Sequence, residues 1–225
     1  MHFIRCYQLL KKRIMYRSKI ELHNVDCLPF MKQCEDKQFD LAIVDPPYGI
    51  DWMKQIENPN TKANWKVHDK KDWDKNIPQQ EYFDELFRVS KNQIVWGGNY
   101  MTEYLPPSPC WLIWDKMQEF TGAVFEMAWT SFKSPAKAFR MSRVEAYANK
   151  NKIHPTQKPE RLYEWILDRY ANEGDLILDT HLGSGSIAVA CDKMGYDLVG
   201  LEIDKDYFDK SNKRLKPYRN QQALF

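Results

Sequence analysis

The chain has 225 residues, 43% of them hydrophobic and 14% aromatic, and a formal net charge of +2. That is apolar side chain enough for the core of one α/β domain, or at most two small ones; it argues against disorder and against a global basic field. Cys6, Cys27, Cys34, Cys110 and Cys191 form no CxxC pair, the five histidines show no metal-ligand spacing, and no apolar run approaches the about 20 residues of a membrane span. Disulfide scaffolds, zinc sites and membrane anchoring are thus disfavoured, and a reducing, cytoplasmic setting is the default.

Residues 1–18 read as an N-terminal extension, basic but too interrupted in its apolar stretch for a signal peptide, and residues 19–225 as a single domain. "KIELHNVDC" (19–27) predicts a short strand ending at Asp26, and "FDLAIVD" (39–45) a buried parallel strand. Residues 51–78, holding Trp52, Trp65 and Trp73 without periodicity, read as a long mobile loop of the kind that is functional or disordered. A helix over 78–91 starts at Pro78 and carries the stripe Tyr82, Phe83, Leu86, Phe87. Strands follow at "NQIVWGG", "CWLIWD" (110–115) and "VFEMAWTSF" (124–132). The stretch 131–159 then carries seven basic residues (Lys133, Lys137, Arg140, Arg143, Lys150, Lys152, Lys158) against Glu145 alone, either the footprint of a polyanion partner or a solvated lysine-rich loop. A helix (159–171), a strand (175–179), a helix from a glycine turn, a strand (196–204) and a last helix from Lys205 complete the chain. Strands alternating with helices imply a mostly parallel sheet with helices on both faces.

Two places carry chemistry. In "ILDTHLGSGSIAVA" (177–190) a strand ends at Asp179, and Gly183 and Gly185 turn the chain into a helix. Such glycines let backbone approach a ligand, and the helix start offers free N–H groups. Glu202 ends the next strand nineteen residues after Gly183, the position of an acid that accepts ribose hydroxyls. The unit therefore reads as a nucleoside site for NAD, FAD or S-adenosylmethionine, and the missing third glycine favours a cofactor without a diphosphate.

The other place is "LAIVDPPYGI" (41–50). Pro47 lacks an N–H and keeps Pro46 out of the helical region, so the Pro46 carbonyl can point away from the sheet beside the Asp45 carboxylate. Two adjacent acceptors suit an exocyclic –NH2, and Tyr48 offers a face for a planar ring. Accepting both hydrogens favours the tetrahedral nitrogen whose lone pair attacks, and stabilises the charge that develops there. A strand-ending turn of no chemical significance is the alternative.

"DPPY", then "HPTQKP" (154–159), "DTHLGSGS" and "GLEID", in that order, resemble the DNA amino-methyltransferases of the β class. The likeness spans roughly Lys19 to Leu215 and implies a circularly permuted, Rossmann-like, S-adenosylmethionine-dependent methyltransferase fold on a mostly parallel seven-stranded sheet. It implies that Asp45, Pro46, Pro47 and Tyr48 hold and stack a base flipped out of double-stranded DNA. It further implies that Asp179, Gly183 and Gly185 line the S-adenosylmethionine site, that Glu202 takes the ribose hydroxyls, and that Asp26 meets the adenine amine. His154, Thr156 and Lys158 are implied to border the methionine end. A short target-recognition segment, 131–153, is implied to use Lys133, Lys137, Arg140 and Arg143 on phosphates and bases. Thr180, His181 and Ser186 depart from the usual "DPFxGSGT".

The leading expectation is adenine-N6 methylation in DNA, because Asp at the first motif position resembles the adenine enzymes while cytosine-N4 enzymes more often carry Ser. N4-cytosine is the alternative; RNA or protein-amide methylation, and an inactive nucleic-acid-binding relative, stand behind it. The resemblance places the protein in the cytoplasm of a bacterial or phage-infected cell, and leaves open a homodimer and a cognate restriction endonuclease as further partners.

Overall fold

Leu41, Ala42, Ile43 and Val44 are all buried, although side chains of successive strand residues point to opposite faces. Strand β2 (Phe39–Val44) must therefore be covered on both faces, and the computed structural model of the chain, which describes residues 18–50, 74–117, 123–147 and 152–222, shows how. Strands β1 (Ile20–His23), β3 (Ser90–Trp96), β4 (Trp111–Asp115), β5 (Phe125–Thr130), β6 (Lys137–Arg140), β7 (Leu176–Asp179) and β8 (Asp197–Leu201) join β2 in one sheet, ordered β1-β8-β7-β2-β3-β5-β4-β6. Leu41 and Ile43 pack against Leu162 and Ile166 of helix α4 (Glu160–Tyr170) and Ile187 of helix α5 (Ser186–Met194). Ala42 and Val44 face Met31 of helix α1 (Cys27–Met31) and Phe83 and Leu86 of helix α2 (Gln80–Val89). A short helix α3 (Arg143–Tyr147) follows β6, and helix α6 (Lys205–Gln222) closes the described chain.

The pairings β1–β8, β8–β7, β7–β2, β2–β3 and β4–β6 are parallel; β5 is antiparallel to both β3 and β4. The sheet has eight strands among the described residues where seven were expected. The eighth is β6, on the edge beside β4, with only Phe139 partly turned inward, against Trp165 at 5.7 Å. Four residues with one inward apolar side chain leave no periodicity to read in basic text. The first strand ends at His23, short of Asp26, which instead caps α1 by accepting from the Leu28 N–H at 3.0 Å. Helix α6 continues through Pro217 to Gln222.

Glu160, at the start of α4, is buried, and its carboxylate accepts from Lys193 Nζ (2.7 Å), Arg214 Nη2 (2.7 Å) and Tyr218 Oη (3.2 Å). This carboxylate thereby fastens α4 to α5 and α6 on the face of the sheet that carries the glycine turn. Residues 1–17 and 51–73, with Trp52, Trp65 and Trp73, lie outside the described residues, so the expected extension and most of the expected loop are not described. Among the described residues no helix is long and apolar enough to cross a membrane.

Candidate active site

Seven of the eight strands run the same way, so their carboxyl ends share one edge. Asp45 follows β2, Asp179 ends β7, Glu202 follows β8, and Asp26 follows β1. From β7 the chain goes on to β8 on one side, and from β2 to β3 on the other. The β7–β2 boundary is therefore a topological switch point, where an open α/β sheet leaves a crevice for ligands. The two motifs that stand 134 residues apart in the chain (179 minus 45) meet across it, as the permuted order requires.

On the β2 side the Asp45 carboxylate, one of the two acceptors expected for a base amine, is engaged by the protein itself. Tyr48 Oη donates to Asp45 Oδ1 at 2.6 Å, and Lys158 Nζ donates to Asp45 Oδ2 at 2.5 Å and to Tyr48 Oη at 3.1 Å. The Tyr48 ring stacks on Tyr100 (5.3 Å between centroids, 18° between planes) and lies so close to Gly97 that a Cβ there would fall 2.1 Å from Tyr48 Cε1. Gly97 is thus required, both by this contact and by its φ of +69°. Asp74 Oδ1 accepts from the Tyr48 and Gly49 amides at 2.7 and 3.2 Å and fixes the turn after Pro47. Pro46 is buried and Pro47 half-buried. Burial, with Asp45 and Glu126 next, pushes the Tyr48 phenol well above its ordinary value, so it remains a donor.

Behind Asp45 the ion pairs continue. Lys158, its side chain 1% exposed, also reaches Glu126 Oε2 at 3.3 Å, and Glu126 Oε1 pairs with buried Lys116 at 2.8 Å. Burial pulls the Lys158 pKa down, but Asp45 and Glu126 outweigh it and hold the ammonium above the usual lysine value. Burial likewise pulls Glu126 up, and Lys158 and Lys116 outweigh it and keep the carboxyl below its usual range. The Lys158 side chain thus sits on the β2 side of the crevice, against Asp45 and Tyr48, whereas the resemblance implied a place at the methionine end of a cofactor.

On the β7 side Gly183 (φ +51°) and Gly185 (φ +69°) make the turn. The Gly183 amide donates to Glu202 Oε2 at 2.7 Å, and Asp204 N–H to Glu202 Oε1 at 2.9 Å. His154 lies over Gly183, tilts against Tyr207 at 4.3 Å, and its Nδ1 lies 3.1 Å from Thr156 Oγ1. Ser186 donates from the first turn of α5 to the Lys158 carbonyl at 2.7 Å, so the "HPTQKP" loop is tied directly to the glycine turn. Asp179 is buried; burial foremost, then Asp45 and Glu202, push its carboxyl up to about 8, against the opposing His181 amide that donates to Oδ1 at 3.0 Å. His181 is pushed down to about 4 by burial and is neutral. It joins the hydrogen-bonded run Tyr82–Thr180–His181 (2.7 and 2.9 Å), which is the packing this sequence substitutes for Pro-Phe.

A Cβ at Gly185 would meet Ser211 Cβ at 2.9 Å in a backbone conformation that L side chains rarely adopt. Gly185→Ala is expected to cost about 1–3 kcal/mol of stability, read as a drop in denaturation midpoint.

The four basic residues expected on nucleic acid do not form one patch. Arg140 ends β6 beside Asp115 (3.4 Å), and Arg143 opens α3, both at the carboxyl edge. Lys133 follows β5 near Gln93 and Phe87, at the opposite edge, and Lys137 begins β6. Asp26 is exposed beyond β1. Sequence reasoning missed Asp74, Lys116, Glu126 and Tyr100, and also Val25 and Ile203, 38% and 68% exposed beside Asp26 and Glu202. The acid inside the apolar run "VFEMAWTSF" was the one signal that pointed at Glu126.

Comparison with known proteins sets the chain beside DNA methyltransferases. Residues 95–213 match a family described as DNA methylase. The type II methyltransferase M.HpaI of Haemophilus parainfluenzae is 25% identical, covering 82% of this chain and 70% of its own. M2.DpnII of Streptococcus pneumoniae is also 25% identical, over 92% of this chain and 94% of its own. Among solved structures, the complex of M1.HpyAVI with SAM superposes with a TM-score of 0.56 at 18% identity over 87% of this chain and 98% of that one. The cytosine-N4-specific PvuII DNA methyltransferase superposes with 0.58 at 14% identity, over 92% and 93%.

Proposed function

Because this chain belongs to the N6/N4 DNA methylase family, we propose that it methylates the exocyclic N6 amine of an adenine turned out of double-stranded DNA, with S-adenosylmethionine as methyl donor. The observation that carries the reading is the pairing of Asp45 and Tyr48 with the Asp179–Gly183–Glu202 turn across the β7–β2 crevice. The adenine assignment rests on Asp45, where the resembling cytosine-N4 enzymes more often carry Ser.

The chemistry of the β7 side fits the proposed cofactor. Glu202 is an acceptor pair at the end of β8, suited to a ribose diol. Exposed Val25 and Ile203 offer apolar surface for a purine beside Asp26. Asp179, a buried carboxyl held at about 8, is a seat that a cation would stabilise. Gly183, Gly185, His154 and Thr156 form the backbone and side-chain wall between them. When bound, the cofactor supplies a methyl group on a positively charged sulfur.

The residues of the β2 side do the rest. Asp45 and the Pro46 carbonyl accept the two amine hydrogens and direct the nitrogen lone pair across the crevice. Tyr48 stacks on the base, and the Asp45 carboxylate stabilises positive charge on nitrogen until a proton is lost. Holding both reactants at the switch point supplies much of the acceleration by proximity. Arg140 and Arg143, at the same edge, are the phosphate contacts this reading favours over Lys133 and Lys137.

The test is transfer of a labelled methyl group to unmethylated plasmid DNA followed by nucleoside analysis. N6-methyladenine is the expected product. N4-methylcytosine alone overturns the adenine assignment, and label on RNA but on no DNA overturns the choice of substrate.

A further inference from the structure

A carboxylate that stabilises positive charge on a reacting amine is weakened by a cation resting on it. Lys158 Nζ nevertheless lies 2.5 Å from Asp45 Oδ2, inside the protein, and Tyr48 fills Oδ1. The two oxygens of Asp45 thus already hold two donors, in competition with the one amine hydrogen that Asp45 would accept. The incoming amine hydrogen meets a carboxylate already paired with a cation, and Asp45 can act at full strength only if the ammonium moves away.

The structure supplies a destination. Glu126 Oε2 is 3.3 Å from the same Nζ, while Glu126 Oε1 is anchored by Lys116 at 2.8 Å. The ammonium also lies 5.1 Å from the centre of the Trp96 ring and 5.6 Å from that of Tyr48, so aromatic faces flank it on the way from one carboxylate to the other. Two carboxylates and two ammonium groups sum to zero charge in either arrangement, so the shift needs no ion from solvent. The movement is a short change of partner, with Lys158 remaining buried and paired throughout.

We propose that Lys158 caps Asp45 in the resting enzyme and passes to Glu126 as the base amine enters, which makes Glu126 a positioning residue that acts through Lys158. This rests on the methyltransferase reading above. Asp45 is released when its substrate arrives and is kept paired when it is absent, which explains why a charged lysine is buried beside the proposed catalytic carboxylate. The role of Lys116 follows: it holds Glu126 in place and keeps it charged, ready to receive the second ammonium.

The test compares kcat and KM for DNA and cofactor in Glu126→Gln, which keeps the shape and removes the receiving charge. The expected result is a kcat lower by roughly 10- to 100-fold with cofactor KM within about threefold. In a Lys158→Gln background the same Glu126→Gln change should cost less than about threefold, because there is no ammonium left to receive. A Glu126→Gln enzyme at wild-type kcat, or a full additional loss in the Lys158→Gln background, overturns the proposal while leaving the methyltransferase reading intact; a wild type that methylates no DNA overturns that reading instead. A crystal structure of the wild type with a target duplex gives an answer independent of variant folding. Lys158 Nζ should lie within hydrogen-bonding distance of Glu126 and beyond 3.5 Å from Asp45, and an unchanged Asp45 pair overturns the proposal.

Discussion

Asp45→Asn is expected to lower methyl transfer about 1,000-fold while changing cofactor affinity less than about threefold. The substitution keeps the size of the side chain and one acceptor oxygen but removes the charge. In the ground state little is lost, because a neutral amine needs only acceptors. In the transition state positive charge appears on the nitrogen, and the carboxylate is the group in the crevice aimed at it from the β2 side. Loss confined to the transition state appears in kcat and kcat/KM alike, with KM for DNA nearly unchanged. The fold should tolerate the change, since Lys158 retains Glu126 at 3.3 Å as its counter-charge. Single-turnover rates with pre-bound duplex, alongside a melting curve, measure both parts. A variant within tenfold of wild type would remove Asp45 from the catalytic role.

How much of this was legible in the sequence divides along physical lines. Strands β2, β7 and β8 were readable because burial on both faces demands unbroken apolar runs, and the glycine turn because its backbone demands residues without a side chain. The nearness of Asp45 and Tyr48 was implicit in the motif, but the hydrogen bond between them was not. What the sequence did not show is the polar interior behind them. Lys158 was read with the cofactor loop because the resemblance groups it there with its neighbours His154 and Thr156; its own side chain crosses to the other motif, 113 positions away. No local pattern reports where a long flexible side chain ends. Glu126 and Lys116 are similar: each sits in or beside an aromatic strand, and their meaning depends on which sheet neighbour Lys158 brings to them. Asp74 holds the Tyr48 turn from the end of a segment with no periodicity at all. Strand β6 was missed because an exposed edge needs no apolar alternation, which is also why Arg140 could be separated from Lys133 only in three dimensions.

Asp179→Asn is expected to make the cofactor-free protein more stable than wild type, by an amount that grows with pH and reaches several kcal/mol near pH 8. The sign follows from the direction of the shift. Asp179 titrates near 4 in the unfolded chain, whereas in the folded protein burial raises it to about 8. Between these values the folded state holds a proton that the unfolded state has released, so wild-type stability falls as pH rises, at roughly 1.4 kcal/mol per pH unit from this group. The penalty is absent below about pH 4 and complete above about pH 8. An asparagine carries no such proton, so the difference between variant and wild-type stability isolates Asp179 from every other titrating group. The same variant should bind S-adenosylmethionine more weakly, by about tenfold or more, because a cationic ligand favours the ionised carboxylate that the variant cannot form. Wild-type binding near pH 7 should release a proton, seen as a dependence of the calorimetric heat on buffer ionisation enthalpy, and Asp179→Asn should lose that contribution. Denaturant midpoints measured from pH 5 to 9 decide the first part: a variant no more stable than wild type at pH 8 would mean that the buried carboxyl is stabilised by something other than its proton.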